Sequence, residues 1–220
     1  GRMTRLASRL PVTLIGGGDA GAADLAAALA LAPVVAAADG GADNALAHGL
    51  VPQAVWGDFD SISPQARAAI PPENLHRIAE QDSTDFEKCL SRIDAPLVLA
   101  IGFCGARQDH FLAALNTLAR GIGPPCILIA DQDIVTLCPP RIALDLAPDT
   151  RLSLFPMGPA SGRATGLRWP IEGLDFAPAG RVGTSNAATG PVSIEMRGPM
   201  LLILPRAQLG LLARSLGQEA

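Results

Sequence analysis

Along the first 130 residues, short unbroken apolar runs alternate with stretches whose apolar positions recur at helical spacing. The runs "PVTLI" (11–15), "VVAAAD" (34–39), "QAVW" (53–56), "LHRIA" (75–79), "PLVLAIG" (96–102) and "PCILIAD" (125–131) read as strands. Between them, "AADLAAALAL" (22–31), "ADNALAHG" (42–49), "TDFEKCLSRI" (84–93) and "DHFLAALNTLARG" (109–121) read as helices. Strands separated by helices predict an α/β domain with a doubly wound, mainly parallel, Rossmann-like sheet. The unbroken apolar runs predict strands covered on both faces. Beyond residue 132 the helical spacing stops, apart from a last turn near "AQLGLLARSL" (207–216). "RLSLFPMG" and "VSIEMRGPMLLIL" alternate or run apolar between Gly/Pro turns, and "MRGPM" (196–200) reads as a hairpin turn. The predicted division is an α/β domain over 1–132 and a smaller antiparallel β-sandwich domain over 133–220.

Composition narrows the class. Of 220 residues, 49% are hydrophobic and 17% charged, which predicts a sizeable core and no long disordered tract. A formal net charge of -4 argues against nucleic acid or an anionic membrane as partner. No apolar run approaches the roughly 20 residues of a membrane span, and "GRMTRLASRL" lacks the apolar stretch of a signal peptide. Gly1-Arg2 ahead of Met3 reads as an expression-vector remnant. Cys89, Cys104, Cys126 and Cys138 show no C-x-x-C pairing and read as small buried residues in a reducing compartment. The expectation is a cytoplasmic protein.

The chemistry concentrates where the predicted strands end. Ligands of open parallel sheets bind beyond the carboxyl ends of the strands. There the chain places "GGGD", then "DGGAD" with Asp39 and Asp43, "GDFD" with Asp58 and Asp60, "EQDSTD" with Asp82 and Asp85, and "GFCGARQDH" with Arg107 and Asp109. "GGGDAG" (16–21) satisfies G-x-G-x-x-G, and Asp39 follows about twenty residues later, the dinucleotide fingerprint. It points to an NAD(P)- or FAD-binding oxidoreductase, or to a turn that packs strand against helix. Asp58 and Asp60 point the same way if their segment stays extended, a pair suited to Mg²⁺. Otherwise Asp60 or Ser61 caps a helix starting near Pro64. Thr84-x-x-Glu87 is a capping box. Lys88, the only lysine, either pairs along its helix or supplies a point charge for phosphate. Arg107 and Asp109 suit a phosphate grip or a surface ion pair, and His110 alone reads as structural. An oxidoreductase leaves most of these acids unused. Metal-dependent phosphoryl or nucleotidyl transfer employs them all. A non-catalytic nucleotide-binding regulator is a third reading. The Walker A pattern is absent.

At these residues the sequence resembles the thiamine pyrophosphokinase family. The matching stretches are "ADGGAD" (38–43), "GDFDSI" (57–62), "DSTDFEKCL" (82–90), "GARQDHFLAALN" (105–116) and "GTSN" (183–186). The resemblance implies an α/β catalytic domain, a C-terminal β-sandwich that binds thiamine, a homodimer with sites near the subunit interface, and pyrophosphate transfer from ATP to thiamine with release of AMP. It implies Mg²⁺ and phosphate positioning by Asp58 and Asp60, with Asp85 as a further metal ligand. The nucleotide falls to Gly17, Gly18, Asp39, Gly40, Gly41, Asp82, Thr84, Lys88, Arg107 and His110. Catalytic roles fall to Asp58, Asp60, Asp85, Arg107 and Asp109, with Asp85 or Asp109 accepting the hydroxyl proton. Ser185 and Asn186 are expected on the thiamine pyrimidine. Trp169 stands where an aromatic ring stacks on thiamine, or at the edge of the β core. Gln108 replaces a usually apolar residue, and Ala106 a common glycine.

Overall fold

The computed structural model describes residues 5–105 and 107–217; Gly1-Arg2 and Ala106 lie outside them. Two compact units emerge: the chain up to Thr117 with Gly121–Ala130, and Leu118–Arg120 with the chain from Asp131 on.

In chain order, the first unit contains β1 (Leu6–Ala7), β2 (Val12–Ile15), α1 (Ala22–Leu31), β3 (Val34–Ala38), α2 (Gly41–Ala47), β4 (Ala54–Gly57) and α3 (Pro64–Ala69). It continues with β5 (Leu75–Arg77), α4 (Asp85–Leu90), β6 (Ile93–Asp94), β7 (Val98–Ile101), α5 (Gln108–Ala119, of which Leu118 and Ala119 count with the second unit) and β8 (Cys126–Ile129). Six strands pair in parallel in the order β5-β4-β3-β2-β7-β8. Every residue of β2, β4, β7 and β8 is buried, so both faces of these strands are covered, as unbroken apolar runs require. Proline closely precedes β2, β3, β4, β7 and β8 (Pro11, Pro33, Pro52, Pro96, Pro125). Lacking an N–H, it marks the start of each ladder.

The β3 segment is alanine-rich, yet it is a strand, because Ala36 and Ala37 are fully buried where α4 packs across β3 and β4. Small side chains let that helix come close: Cys89 Sγ lies 4.0 Å from both Ala37 O and Trp56 O. Helix α3 begins at Pro64, where the sequence offered a helix only as the alternative reading of the Asp58/Asp60 segment. Its hexapeptide is too short to show a period, and it is held by Ile62, Ala66 and Ile70 packing on Ala37 and Val55.

The second unit contains β9 (Asp133–Leu137), β10 (Arg141–Leu144), β11 (Arg151–Pro156), β12 (Ser161–Leu167), β13 (Gly183–Arg197), β14 (Met200–Pro205) and α6 (Leu209–Gly217). All its strand pairs are antiparallel. The parallel pairing predicted from the sequence therefore holds for the first unit only, and over the whole chain the strands are mixed. The long β13 pairs with β11 through its first residues and with β10 and β12 through its last. One expectation is corrected: "MRGPM" does turn, with Gly198 at φ 86, but β13 and β14 do not form a hairpin. Both pair with β11, which lies between them. Among the described residues, no helix is long and apolar enough to cross a membrane.

Candidate active site

Asp39 follows β3 with φ 39, and its N–H donates to Trp56 O at 2.9 Å. The bend turns its side chain inward, leaving it 4% exposed. Gly57, at the end of β4, has φ 154, and a Cβ there would lie 2.9 Å from Asp39 Cβ. A glycine is needed because Asp39 packs directly over this backbone. Asp58 comes next, within hydrogen-bonding reach of the Asp39 carboxyl.

The segment after Asp58 is not extended. Phe59 adopts φ 69 and reverses the chain, so that Asp60 N–H donates to Asp58 Oδ1 at 3.0 Å and Ser61 N–H to Asp39 Oδ1 at 3.3 Å. The two aspartates are thus joined by a turn rather than by strand alternation. Neither Asp60 nor Ser61 caps α3; Ser63 does, accepting from Ala66 N–H at 3.0 Å. Asp43 is absorbed structurally, since both its carboxylate oxygens accept from Ser63.

Two carboxyls this close share a proton. Burial, then the bond to Asp58, then the charge of Asp85 raise Asp39 to about 6. Asp58 is held below the usual carboxylate range, chiefly by the Asp60 N–H and then by Asp39. A carboxyl raised on folding binds an extra proton in the folded state. Its contribution is therefore fully present below its ordinary 3.8 and is lost as pH rises through about 6. In chelator-treated, nucleotide-free protein, Asp39→Asn is expected to raise Tm at pH 7.5, by about 2–4 °C for each kcal/mol relieved. That advantage should vanish toward pH 4. A Tm difference independent of pH would show that Asp39 is not the strained charge.

Helix α4 brings the next groups. Thr84 caps it by accepting from Glu87 N–H at 3.3 Å, the predicted half of the capping box. Lys88 is 3% exposed, and its Nζ donates to Ser83 O at 3.0 Å. The preceding loop is organised by Glu80, whose Oε2 accepts from Asp82 N–H at 2.7 Å and Ser83 N–H at 3.0 Å. Burial raises Asp85 although part of its surface is open, and Lys88 pulls the other way; Asp58, Asp60 and His110 also act on it through their charges. The ends of β3, β4 and the starts of α4 and α5 are therefore within electrostatic reach of one another. Asp82 is exposed and held through its backbone.

Arg107 and Asp109 form a two-bond fork of 3.2 and 2.7 Å whose side chains are 68% and 65% exposed. Asp109 Oδ1 also accepts from His110 N–H at 3.0 Å. The fork keeps Asp109 below the usual carboxylate range.

The glycine loop has a packing explanation. Gly16 N–H donates to Ile101 O at 2.7 Å and Gly18 N–H to Gly102 O at 2.9 Å. A Cβ on Gly16 or Gly18 would lie 2.6 or 2.8 Å from Gly102 O, and one on Gly41 only 2.0 Å from Ile15 O. Gly17 is freer, with nothing nearer than 3.9 Å, and Gly40 faces Ser61. Asn44 Nδ2 donates to both Gly16 O and Gly18 O at 2.9 Å. Sequence reasoning missed Asn44, Glu80 and Gln81, which bonds to Asp58. Their proximity to "DGGAD" and "DSTD" was the available signal.

In the second unit, Ser185 sits in β13 at φ 62, opposite a register shift between Leu152 and Leu154. Its N–H donates to the buried Ser153 Oγ at 3.0 Å. Asn186 is buried, and its amide pairs with the backbone of Trp169. The Trp169 ring is exposed.

The donor chemistry fits a hard divalent cation. Asp39, Asp58, Asp60 and Asp85 raise or bind one another's carboxyls with little cationic relief. Among the described residues, no group of three or more His, Cys, Asp or Glu forms a ready-made cage. Mg²⁺ needs none, because it takes one or two carboxylates and completes its shell with water and phosphate.

A family model described as "Thiamin pyrophosphokinase, catalytic domain" matches residues 25–126. A thiamine pyrophosphokinase of Bacillus subtilis is 32% identical over 162 residues, covering 67% of this chain and 75% of the relative. The chain belongs to the thiamine pyrophosphokinase family. Thiamine pyrophosphokinase 2 of Oryza sativa is 28% identical over 155 residues, 62% of this chain; the match spans 58% of that longer relative. Among solved structures, thiamin pyrophosphokinase from Candida albicans superposes with a TM-score of 0.74 at 17% identity, over 92% of this chain and 93% of that one. At that identity the likeness is one of fold. Membership in this family leaves the oxidoreductase alternative without support, and close backbone packing accounts for Gly16 and Gly18, the first two glycines of the motif that suggested it.

Proposed function

We propose that this member of the thiamine pyrophosphokinase family transfers pyrophosphate from ATP to thiamine, yielding thiamine diphosphate and AMP. The observation that carries the reading is the buried Asp39 carboxyl against Asp58 at the strand ends, with Asp85, Lys88 and His110 in electrostatic range. The order β5-β4-β3-β2-β7-β8 progresses outward from β2 in both directions, which supports a Rossmann-like, doubly wound description with a switch point between β2 and β7. Gly16 and Gly18 end β2, the strand bordering that point.

Asp58, Asp60 and Asp85 would hold Mg²⁺, which when bound supplies charge neutralisation to the transferring phosphates. The chain's own residues then do the positioning. Lys88 is a buried point charge for phosphate oxygens, and Arg107 offers a planar fork once released from Asp109. Gly17, Gly40 and Gly41 present backbone N–H groups to the nucleotide, and Gly18, whose own N–H is taken by Gly102 O, borders it with Thr84 and Asp82. His110 adds a donor beside Asp85. Both candidates for the base were open in the sequence. Asp85, or Asp109 once Arg107 has left its two oxygens, takes the proton from the thiamine hydroxyl as that oxygen attacks the β-phosphorus. Trp169, Ser185 and Asn186 are assigned to thiamine recognition. A homodimer with sites near the subunit interface and a cytoplasmic location complete the proposal.

The deciding experiment measures nucleotide products with ATP, Mg²⁺ and a panel of pyrimidine-thiazole alcohols. AMP formed in step with thiamine diphosphate is the expected result. ADP in its place would make the protein a simple kinase, and no turnover on any alcohol would sink the assignment.

A further inference from the structure

Asn186 carries a carboxamide that is largely engaged within its own chain. It is 7% exposed, Oδ1 accepts from Trp169 N–H at 3.1 Å and from Ala187 N–H at 2.9 Å, and Nδ2 donates to Trp169 O at 2.8 Å. Both acceptor positions and one of the two donor hydrogens are used. The reason lies in the ladder. Strand β12 pairs with β13 as far as Leu167 opposite Ala188, and Arg168 N–H still donates to Ala187 O at 2.9 Å. The next rung fails, because Ser185 with φ 62 turns the β13 backbone toward β11, where Asn186 lies opposite Leu152. The Asn186 side chain replaces the missing rung, giving Trp169 the acceptor and donor that a strand backbone would have given.

The consequence reaches the indole. Trp169 is 54% exposed, and the Arg168 guanidinium lies over its ring, 5.4 Å from the centroid, itself tied to Asp149. One face of the ring is thereby occupied by a cation, and about half of the residue's surface stays exposed.

We propose that Asn186 is a positioning residue that acts through Trp169, its side chain standing in for the missing β12–β13 rung and so fixing where the indole stands. This rests on the functional reading above. A glutamine would overreach by one methylene, and an aspartate would face Trp169 O without a donor.

The test combines kinetics with a spectroscopic signal on the intact chain. The protein has two tryptophans, and Trp56 is fully buried in the core, so fluorine NMR of 5-fluorotryptophan-labelled protein offers one reporter resonance and one internal control. Asn186→Ala is expected to raise KM for thiamine about tenfold, as for loss of a buried hydrogen-bonded pair, with KM for ATP unchanged. The Trp169 resonance should shift and broaden while that of Trp56 stays. On a Trp169→Ala background, adding Asn186→Ala should change KM no further. Asn186→Asp keeps both acceptor bonds but sets a carboxylate oxygen against Trp169 O, so it serves as the second variant and should move the same resonance and the same KM in the same direction. A further rise in KM on the Trp169→Ala background overturns the proposal, as does a raised KM with an unmoved Trp169 resonance. Both results would mean direct contact. An unchanged KM in Trp169→Ala alone also overturns it. Wild-type protein that turns over no thiamine defeats the functional reading instead, and the resonance then decides by itself whether Asn186 holds Trp169.

Discussion

Replacing Asp58 by asparagine is expected to lower kcat for thiamine diphosphate formation by about 10²–10³-fold, the scale of losing one preorganised electrostatic contact in a transition state. The carboxamide keeps the shape of the side chain and can still accept from Asp60 N–H, as Asp58 Oδ1 does at 3.0 Å. What it loses is the charge. Asp58 is the carboxyl that stays ionised in its pair with Asp39, so it is the one available to a cation. Folding should not suffer, because removing a like charge beside a buried neighbour relieves repulsion. Steady-state rates at limiting Mg²⁺, with a thermal shift measured on adding Mg²⁺ and nucleotide, check both halves. Near-wild-type turnover there would remove Asp58 from the mechanism. Asp60→Asn is the companion variant, expected to act in the same direction from a more exposed position.

Gly41→Ala is expected to cause the largest loss of stability among the glycine variants of the crevice. A Cβ at Gly41 would stand 2.0 Å from Ile15 O and 2.7 Å from Ile15 C. Those are backbone atoms of the central strand β2, which cannot swing aside as a side chain can. The helix would have to lift off the sheet. Overpacking of this kind costs about 1–3 kcal/mol or more, and a chain of this size then loses roughly 2–12 °C in Tm. Gly17→Ala is the control. Its Cβ would meet nothing nearer than 3.9 Å, so Tm should hold within about 1–2 °C, the scale of a substitution that touches nothing buried. If Gly17 borders the nucleotide, its alanine variant should lose affinity for ATP while remaining stable. Equal falls in Tm for the two variants would contradict the packing described at Gly41.

The two halves of the chain were unequally legible. The parallel strands announced themselves because burial on both faces demands unbroken apolar runs, and "PVTLI", "PLVLAIG" and "PCILIAD" are such runs. Helix α5 and the Thr84 cap of α4 were visible for equally local reasons, periodicity and side-chain chemistry. Helix α3 was legible only as an alternative near Pro64 and with another cap, since six residues show no period and its stability comes from Ile62 and Ile70 packing on β3 and β4. In the β unit, "MRGPM" showed a turn but could not show its partner. Pairing is a tertiary choice, and β11 takes the place between β13 and β14.

For the candidate site the division follows the same physics. The sequence by itself determined which residue types stand at the strand ends, because an aspartate or glycine in each loop is a local fact, and it determined the family they resemble. It could not determine which of those acids are spent on structure. Asp43 and Asp60 look alike in a string of letters, yet Asp43 is consumed by Ser63 and Asp60 is left exposed. The contact between the carboxyls of Asp39 and Asp58, residues nineteen positions apart in the chain, exists only because β3 and β4 lie side by side. The same holds for Asn186. Its amide reads as a ligand group in "GTSN", and only the left-handed turn at Ser185 sets it against the backbone of Trp169. Local chemistry is written residue by residue, whereas partnership between distant residues depends on chain crossings that the whole fold must make.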